Sequence, residues 1–440
     1  MTRVLLLATT TGYQTRAFGD AAKALDVDLV FATDRCDQLD NPWQDNAIAI
    51  RFHEEARSVQ AIVEASQRRS IDGVLVVGDR PTVIAAHAAR ILGLPWHAPE
   101  AAAAARHKVR TRERLRDAGL PVPWFRSFAI ADAAASHQPL SYPCVVKPVA
   151  LSGSRGVMRA DDPASFVASV DRLRALLSSP DIRAERETDH DTILVEGFIP
   201  GREYAVEGLM HRGAVHVLTI FDKPDPLNGP FFEETIYLTP SAAPEADRRA
   251  IVTAIDRAAT ALGLSHGPFH AECRVSHHAN TGVPQVYVLE VAARPIGGLC
   301  ARALGFEQPG MAEARAVPLE ELLMRHALGS SPEGWRREPI ASGVMMIPIP
   351  RRGTFRGVEG VEEAESVSGV TAVRVTAKTD QTLLPLPEGA SYLGFIFARA
   401  TAAADVERAL REAHARLRFR IDAEFPVLRG APVHYNPLYG

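Results

Sequence analysis

Short apolar runs alternate with amphipathic stretches over roughly the first hundred residues. The runs VLLLA, VDLVFAT and GVLVVG are separated by helical patterns such as RAFGDAAKAL and TVIAAHAARILG. Strands that alternate with helices in this way are typical of a parallel sheet with crossover helices. The pattern therefore predicts a Rossmann-like domain over residues 1–103. The turn after its first strand, ATTTGYQT, lacks the glycines of a dinucleotide site, which favours a scaffold or substrate role over cofactor binding.

A second group of elements follows a predicted connecting helix. The segment HAPEAAAAARHKVRTRERLRDAGLPVP, residues 97–123, has a helical pattern that ends at Gly119 and the prolines beyond it. Strand, loop and strand follow at 144–160, and a second strand pair turns at Pro200-Gly201. The apolar runs AVHVLTIF, PFHAECRV and QVYVLEVAA come next, with a helical pattern after the first of them. We expect these elements to form a domain over 104–330.

The segment GSSPEGWRREP, residues 329–339, has the composition of a linker. Beyond it, three strand-like runs precede one helical pattern, at 341–350, 370–378, 392–399 and 402–417. This order predicts a separate α+β unit over 331–440. The chain as a whole is thus expected to be a multidomain protein with α/β and α+β parts.

The composition of the chain limits the classes of partner that it is expected to bind. Lys plus Arg number 49 and Asp plus Glu 53, a net charge of −4, so no general positive field would attract nucleic acid or an anionic membrane. The four cysteines, Cys36, Cys144, Cys273 and Cys300, lack CxxC spacing, and no apolar stretch is long enough for a membrane helix. We expect a cytoplasmic protein that acts on small molecules, with Cys273 and Cys300 as packing residues.

One glycine-rich loop matches neither of the usual nucleotide motifs. In CVVKPVALSGSRGVMRA, residues 144–160, Lys147 ends an apolar strand and a loop of glycine and serine follows, without P-loop or dinucleotide spacing. Since a strand rather than a helix comes next, backbone N–H groups of Gly153 to Gly156 would have to hold any phosphate. Only five of the 49 basic residues are lysines, which favours a role for Lys147 beside that phosphate. The alternative is an ordinary hairpin loop with Lys147 reaching solvent.

Two glutamates are spaced symmetrically about a turn. Glu272 lies nine residues before Thr281 and Glu290 nine residues after it, and ANTG around Thr281 is a turn pattern. If the flanking strands pair antiparallel, the carboxylates face each other, which destabilises a sheet unless a cation neutralises them. Mg²⁺ typically takes one or two carboxylates together with phosphate oxygens and suits such a pair. The alternative is a shifted register, in which a bulge of one residue would put the two side chains on opposite faces.

Arg294 lies shortly after these glutamates, in AARPIGG. Its planar guanidinium suits a carboxylate or phosphoryl group, and Gly297 and Gly298 would let the backbone approach a ligand closely. The alternative is a surface arginine in an arginine-rich chain. We expect His270 to be a hydrogen-bonded structural residue, with a catalytic base as the alternative. We expect Lys223, in the loop at 222–235, to be a solvated lysine, with contact to substrate as the alternative.

The ordered set of lysine, glycine loop, glutamate pair and Arg-x-x-Gly-Gly resembles the ATP-grasp ligases, over most of the chain to about residue 325. The resemblance implies a Rossmann-like domain, an ATP-grasp fold with a lid subdomain at about 125–198, and an extra C-terminal α+β domain. It implies ATP and Mg²⁺, with Mn²⁺ as an alternative metal. The implied nucleotide-binding residues are Lys108, Lys147, Ser152, Gly153, Ser154, Gly156, Glu196, Gly197, Phe198, Ile199 and Glu203. Within that set, the backbone of Glu196 to Ile199 would hold adenine and Glu203 would meet the ribose.

The implied metal ligands are Glu272 and Glu290, and Ala292 stands where many members have asparagine. The C-terminal half is most similar to the amino-acid ligases, the group of bacterial dipeptide synthetases and carnosine-synthase-like enzymes. In FFEETIYLTP, Glu234 would hold a substrate ammonium, and Tyr237 replaces a histidine that some members carry. The implied catalytic residues are Arg294 and Lys147. Arg294, with Gly297 and Gly298, would bind a carboxylate or acyl phosphate.

The resemblance implies an ATP-dependent ligase that joins a small-molecule carboxylate and an amine, both amino acids, through an acyl phosphate with release of ADP and phosphate. The charge balance predicts no nucleic-acid or membrane partner. The oligomeric state stays open, and a homodimer is one of the alternatives. The alternatives within the superfamily are a carboxylase or a purine-pathway-type ligase. A nucleotide-binding regulator without turnover is the alternative from another class.

Overall fold

The computed structural model describes residues 2–9, 13–34, 47–133, 139–278, 280–309 and 316–423. Residues 10–12 of the first turn, Cys36 and residues 424–440 of the predicted third unit lie outside these ranges. The helices are, in chain order, α1 (Tyr13–Ala24), α2 (Glu55–Arg68), α3 (Pro81–Leu92), α4 (Pro99–Arg106), α5 (Lys108–Asp117), α6 (Pro163–Leu177), α7 (Pro180–Arg183), α8 (Glu245–Leu262), α9 (Leu319–Ala327), α10 (Val361–Glu365) and α11 (Ala403–Arg416).

The strands of the described ranges fall into five sheets. In chain order they are β1 (Arg3–Ala8), β2 (Asp28–Thr33), β3 (Ala47–Ala49), β4 (Gly73–Val77), β5 (Phe125–Ala129), β6 (Cys144–Pro148), β7 (Met158–Ala160), β8 (Thr192–Gly197), β9 (Arg202–His211), β10 (Ala214–Asp222), β11 (Ile236–Thr239), β12 (Gly267–His277), β13 (Pro284–Ala292), β14 (Gly305–Glu307), β15 (Val317–Pro318), β16 (Arg336–Arg337), β17 (Ala341–Ile347), β18 (Gly353–Glu359), β19 (Val370–Val375), β20 (Thr382–Leu383), β21 (Gly394–Ala400) and β22 (Arg418–Asp422).

The first sheet consists of four parallel strands in the order β3, β2, β1, β4. All six residues of β1 and all five of β4 are buried, as expected for a parallel sheet that is covered on both faces. The predicted Rossmann-like arrangement is confirmed. The loop after β4 brings Asp79 to the carboxyl edge of the sheet, which is the edge where open α/β folds bind ligands.

The connecting helix predicted at 97–123 is two helices. α4 ends at Arg106 and α5 begins at Lys108, and His107 between them is extended (φ −106°, ψ 104°). The His107 ring accepts a hydrogen bond from the N–H of Arg110 (3.3 Å) and so caps α5. The helical composition on both sides of His107 hid this break from the sequence.

The strands of residues 125–197 form a separate antiparallel sheet in the order β5, β8, β6, β7, which we call the lid. The lid has its own core, in which Val146 of β6, Leu173 of α6 and Ile193 of β8 are fully buried. The glycine-rich loop connects β6 to β7. This loop therefore stands on a small sheet that packs independently of the rest of the hydrophobic core.

The largest sheet has eight strands in the order β13, β12, β9, β10, β11, β17, β21, β19. Its last three strands belong to the third unit, which we expected to stand apart. They instead continue the sheet through the antiparallel pairing of β11 with β17, from Ile236 opposite Met345 to Thr239 opposite Ser342. The sequence could not show this pairing because the two strands are far apart in the chain. The domain bounds at 103 and 330 remain predictions.

No helix in the described ranges has both the length and the apolar composition needed to cross a bilayer.

Candidate active site

A cavity of about 790 Å³ is lined by residues of the first sheet, the lid and the eight-stranded sheet. Asp79 comes from the loop after β4, Lys147 from β6, and Glu272 and Glu290 from β12 and β13. All of the predicted site residues except Gly156 line this cavity. The sequence prediction therefore converges on one place in the structure.

Glu272 and Glu290 are direct partners in the pairing of β12 with β13. The register near the turn would have placed Leu289, not Glu290, opposite Glu272. A one-residue bulge between Cys273 and Glu272 shifts the register and restores the glutamate pair. The prediction that the carboxylates face each other is correct, but the bulge expected to separate them is what brings them together.

Arg112 of α5 holds this bulge from a position that is only 1% exposed. Its Nη1 donates to the carbonyls of Val288 (2.9 Å) and Leu289 (3.0 Å). Its Nε and Nη2 donate to the two carboxylate oxygens of Glu196, at 2.7 and 3.0 Å. One guanidinium thus connects the strand that carries Glu290 to the lid strand β8.

Two lysines lie on the lid side of the cavity. Lys147 Nζ donates to Glu196 Oε1 at 2.5 Å, and Lys108 Nζ donates to the Leu151 carbonyl at 2.6 Å and lies 4.0 Å from Glu290 Oε2. Burial lowers the pKa of Lys147 to about 8, although Glu196 opposes this shift. Burial would raise the pKa of Glu196, but the positive charges of Arg112 and Lys147 lower it to about 2. Both charges of the pair are therefore present at neutral pH.

The loop between β6 and β7 passes through left-handed backbone conformations. Gly153 and Ser154 have φ values of 64° and 55°, and both line the cavity. Gly156 was predicted to bind nucleotide, but its N–H donates to the Pro387 carbonyl at 2.8 Å and is not available to a phosphate. A Cβ at position 156 would lie 2.9 Å from Leu173, so the glycine lets the loop pack closely on α6.

The predicted adenine-binding segment, Glu196 to Ile199, extends from the end of β8. The N–H groups of Gly197 and Phe198 donate to the carbonyls of Trp124 and Pro143, at 2.9 and 3.0 Å. Each of these two N–H groups already has a hydrogen-bond partner, so neither is available to adenine. The predicted backbone contact to adenine is therefore not made by Gly197 or Phe198 N–H. The surrounding side chains form an apolar slot that suits a flat aromatic ring, lined by Val145, Phe198, Ile199, Phe232 and Leu289.

Lys223 is not a solvated loop lysine, contrary to expectation. Its side chain is buried, and Nζ donates to Glu203 (2.8 Å), Glu234 (2.8 Å) and Glu272 (2.7 Å). Burial would lower the pKa of Lys223, but the three carboxylates raise it well above its usual value. Burial and the nearby Glu272 carboxylate raise the pKa of Glu234 to about 7. The lysine thus neutralises one side of an acidic cluster whose carboxylate oxygens lie within 4.8 Å of one another.

Glu203, predicted to meet a ribose, already has two cationic partners. It accepts a hydrogen bond from Arg274 Nε at 2.9 Å in addition to the one from Lys223. Arg274 also donates from Nη1 to the carbonyl of Ile199, at 2.7 Å. Glu203 therefore fixes the position of both cations beside the apolar slot.

Arg294 is buried and is held by Asp79, in the loop after β4. The two side chains form a bidentate pair, with Nε to Oδ1 at 2.7 Å and Nη2 to Oδ2 at 3.1 Å. Burial would raise the pKa of Asp79, but the Arg294 guanidinium lowers it. Arg294 is thus not a surface arginine, and Gly297 and Gly298 line the cavity beside it.

His270 is hydrogen-bonded, as expected, and its partner is a fully buried glutamate. Its Nδ1 lies 3.1 Å from Glu207 Oε2, and its Nε2 lies 3.8 Å from Glu272 Oε1. Burial would lower the pKa of His270, but these carboxylates raise it to about 9. Glu207 Oε1 also accepts from the N–H of Ile296 at 3.1 Å, and this bond anchors the segment that follows Arg294.

Sequence reasoning missed the residues that position the predicted ones: Asp79, Arg112, Glu207 and Arg274. The basic stretch KVRTRERLRD contains four arginines, and nothing in it distinguishes Arg112 from its neighbours. Glu207 does carry a weak signal, because a charged residue within the apolar run YAVEGLM indicates a buried partner.

Three families match successive parts of the chain. The ATP-grasp N-terminal domain matches residues 19–96, the ATP-grasp domain matches residues 140–303, and the L-amino acid ligase C-terminal domain 2 matches residues 345–422. The order of these matches follows the order of the first sheet, the lid with part of the eight-stranded sheet, and the C-terminal strands.

Individual relatives agree with these matches. The chain is 30% identical over 242 residues to a D-alanine–D-alanine ligase of Paramagnetospirillum magneticum, covering 53% of this chain and 70% of that protein. It is 26% identical over 257 residues to an alanine–anticapsin ligase of Bacillus subtilis, covering 55% of this chain. The match spans 52% of that relative, about half its length. The structure is similar to an L-amino acid ligase from Bacillus licheniformis, with a TM-score of 0.79, 29% identity and coverage of 96% of this chain and 99% of that one.

Proposed function

Since the chain belongs to the ATP-grasp family, we propose that it is an ATP-dependent ligase that joins the carboxylate of one amino acid to the amine of another. One observation carries the proposal: Lys108 and Lys147 meet the facing pair Glu272 and Glu290 in a single cavity. Cations beside paired carboxylates suit a magnesium complex of a triphosphate.

The apolar slot between the lid and the eight-stranded sheet supports a place for adenine. Aromatic and aliphatic side chains on both sides suit a flat ring, and Lys147 at the lid end of the slot suits the phosphates. Gly153 and Ser154 would cover the phosphates from the loop and keep water away from the reacting atoms. Lys147 and Lys108 are the cofactor-binding cations in this proposal.

Glu272 and Glu290 fit a magnesium ion because they are hard oxygen donors on paired strands. Their side chains are 19% and 28% exposed to the cavity, so a ligand can reach both. Lys223 bonds to both Glu272 and Glu234, so the side of the Glu272 carboxylate towards Glu234 is already occupied. We therefore assign the metal to the other side of this carboxylate, where it faces Glu290. When bound, Mg²⁺ would offset the charge on the transferring phosphoryl group, and Mn²⁺ has the same ligand preference.

The chemistry follows from these positions. A carboxylate oxygen of the first amino acid attacks the γ-phosphorus of ATP, the bond to the β,γ-bridging oxygen breaks, and ADP leaves. The amine of the second amino acid then attacks the acyl carbon, and phosphate leaves. Lys147 and Lys108 would stabilise the charge of the first step, and Arg294, held by Asp79, would stabilise the oxyanion of the second.

The amine must lose a proton before it attacks. Glu234 lies at the cavity wall with a pKa raised to about 7, which suits a carboxylate that first binds an ammonium group and then accepts its proton. The hydrogen bond from Lys223 fixes the position of the carboxylate. Glu234 is therefore the proposed amine-binding residue.

The cavity wall on the side of the C-terminal strands favours a substrate that carries an apolar side chain. This wall is formed mainly by the C-terminal strands and the segment after Gly298, and its lining includes Tyr237, Cys300, Met346, Tyr392 and Phe395. Such a wall favours an aromatic, methionine-like or branched side chain over a charged one.

The cytoplasmic location and the homodimer remain predictions.

Nucleotide analysis tests the proposed function. The protein is incubated with ATP, Mg²⁺ and pooled amino acids, including β-amino acids, and the control lacks the amino acids. We expect amino-acid-dependent release of ADP and phosphate. Bound ATP that is never turned over with any acid and amine would instead identify a nucleotide-binding regulator.

A further inference from the structure

Three histidines meet at the opposite end of β9 from the cavity. His211 ends β9, His266 immediately precedes β12, and His326 lies in the last turn of α9. None of the three lines the cavity. Glu203 is eight residues before His211 on the same strand, a separation of about 26 Å. The cluster is therefore separate from the proposed magnesium site.

The ring nitrogens of the cluster are close together. His211 Nδ1 lies 3.2 Å from His326 Nε2, and the three residues offer ligand atoms that all lie within 4.8 Å of one another. Two nitrogens bound to a tetrahedral zinc ion at about 2.05 Å are themselves about 3.3 Å apart. The spacing of His211 and His326 is close to that value, and a metal ion would replace the hydrogen bond that the two nitrogens share.

His266, the third histidine, has a ring nitrogen that is free to bind a metal ion. His266 is only 6% exposed, and its Nε2 is buried. This nitrogen has no hydrogen-bond partner among the described residues. A buried polar atom without a partner costs free energy, which a bound metal ion would recover. The His266 ring stacks on His326 at 4.2 Å between centroids, so binding requires it to turn out of this stack.

The surroundings favour neutral imidazoles, the form that binds metals. Burial lowers the pKa of His266 to about 4 and that of His326 to about 3. Among the neighbouring groups, Glu333 acts on His211 as a negative charge and Arg212 as a positive one. His97 is also near, but its two ring nitrogens are engaged with Pro268 and Ser265.

We propose that His211, His266 and His326 bind a transition-metal ion of the Zn²⁺ type, with water as the fourth ligand. Three nitrogen ligands select such an ion over Mg²⁺, which prefers oxygen. The metal would join the end of α9 to the adjoining ends of β9 and β12. Its expected effect is to stabilise the fold, because an ion that binds only the folded chain raises the melting temperature.

Cobalt substitution tests this site directly. The full chain, without an affinity tag and with Mg²⁺ in excess, is titrated with Co²⁺ while the visible spectrum is recorded. We expect one equivalent of Co²⁺ to give the strong absorption of a four-coordinate ion, and Zn²⁺ to displace it. Co²⁺ at the carboxylates of the cavity would be six-coordinate and weakly absorbing, and thiolate ligation would add a charge-transfer band. Either of these spectra in place of the expected one would overturn the proposal.

Variants locate the ligands. His266→Gln and His326→Gln should each weaken Co²⁺ binding by at least about 10-fold. The control is His277→Gln. His277 is the last residue of β12, at the opposite end of that strand from His266, and its side chain is 49% exposed and pairs with Asp247. Because a variant could fail to fold, the melting temperature of the unaltered protein is also measured with and without Zn²⁺. Unchanged Co²⁺ binding in the folded His266→Gln and His326→Gln variants, or no rise in melting temperature with Zn²⁺, would contradict the site.

Discussion

At the scale of single residues, the site depends on ionisable groups whose partners are already in place. Lys147 is buried against Glu196, and burial lowers the pKa of the ammonium to about 8. A lysine at this position can lose its charge within the ordinary working range of pH, whereas an arginine could not.

This lysine predicts the alkaline limb of the pH profile. As pH rises through about 8, the free enzyme loses the Lys147 charge that attracts the triphosphate, so kcat/KM for ATP should fall. Lys147→Arg keeps its charge and should move the limb to higher pH. The measurement is kcat/KM for ATP from pH 6 to 10 in both proteins, and an unmoved limb in the arginine variant would assign the titration to another group.

Arg294 predicts a separation of binding from ligation. Arg294→Ala removes the group proposed to stabilise the acyl oxyanion, so ligation should fall by about 100-fold or more while the Kd for ATP changes little. Asp79→Asn is the matched variant, because it weakens the anchor but keeps the guanidinium, and it should cause a smaller loss. ATP affinity and ligation rate are measured for each. Equal loss of both quantities in Arg294→Ala would remove the proposed role.

At the scale of structural elements, the bulge in β13 sets which carboxylates face the cavity. If the regular pairing of Cys273 with Val288 continued without the bulge, Leu289 would lie opposite Glu272. Arg112 holds the bulge by donating to two of its carbonyls and pairs with Glu196 of the lid through its other nitrogens. A helix residue outside both strands thus holds the bulge that sets the positions of the two proposed metal ligands.

Arg112→Lys tests this control. A lysine keeps the charge but cannot reach the bulge and Glu196 together, so the apparent affinity for Mg²⁺ should fall by about 10- to 100-fold. Arg116→Lys on the same helix is the control, since Arg116 is 56% exposed and pairs only with the neighbouring Asp117 among its described ion pairs. Activity is measured as a function of Mg²⁺ concentration. The same Mg²⁺ dependence in both folded variants would rule out the positioning role.

The glycine loop contacts the C-terminal unit in addition to covering the cavity. Gly156 donates to the Pro387 carbonyl and Arg155 Nε donates to the Glu388 carbonyl, both at 2.8 Å. Arg172 of α6 pairs with the Glu388 side chain, with Nη2 2.8 Å from Oε2. The lid is therefore bonded to a segment that the ATP-grasp motifs do not include.

Glu388→Gln should loosen this contact slightly. The paired side chains of Arg172 and Glu388 are 43% and 33% exposed, so the ion pair contributes only about 0.2–1 kcal/mol. We expect up to about 5-fold faster amide exchange over residues 152–157 and a similar rise in KM for ATP. Glu362→Gln, on an exposed helix of the same unit, is the control. Unaltered exchange in the loop would show that the contact does not restrain the lid.

At the scale of the whole molecule, contacts between residues close in the sequence could be predicted, whereas contacts between distant segments could not. The Glu272 and Glu290 pair was predictable because both residues belong to one hairpin, whose spacing is local. Lys223 was misjudged, since two of its partners, Glu203 of β9 and Glu272 of β12, lie on strands that only the folded sheet brings beside its loop. The same reason hid the bond between Asp79 and Arg294, 215 residues apart, and the joining of the C-terminal strands to the central sheet.

The most direct test of the account follows the oxygen atoms of the acid substrate. Pooled amino acids carrying ¹⁸O in their carboxylates are incubated with the protein, ATP and Mg²⁺, and the released phosphate is examined by mass spectrometry. An acyl phosphate requires one ¹⁸O to pass from the carboxylate to each phosphate that accompanies ADP. Phosphate without label, or AMP and pyrophosphate as products, would contradict the proposed ligase mechanism.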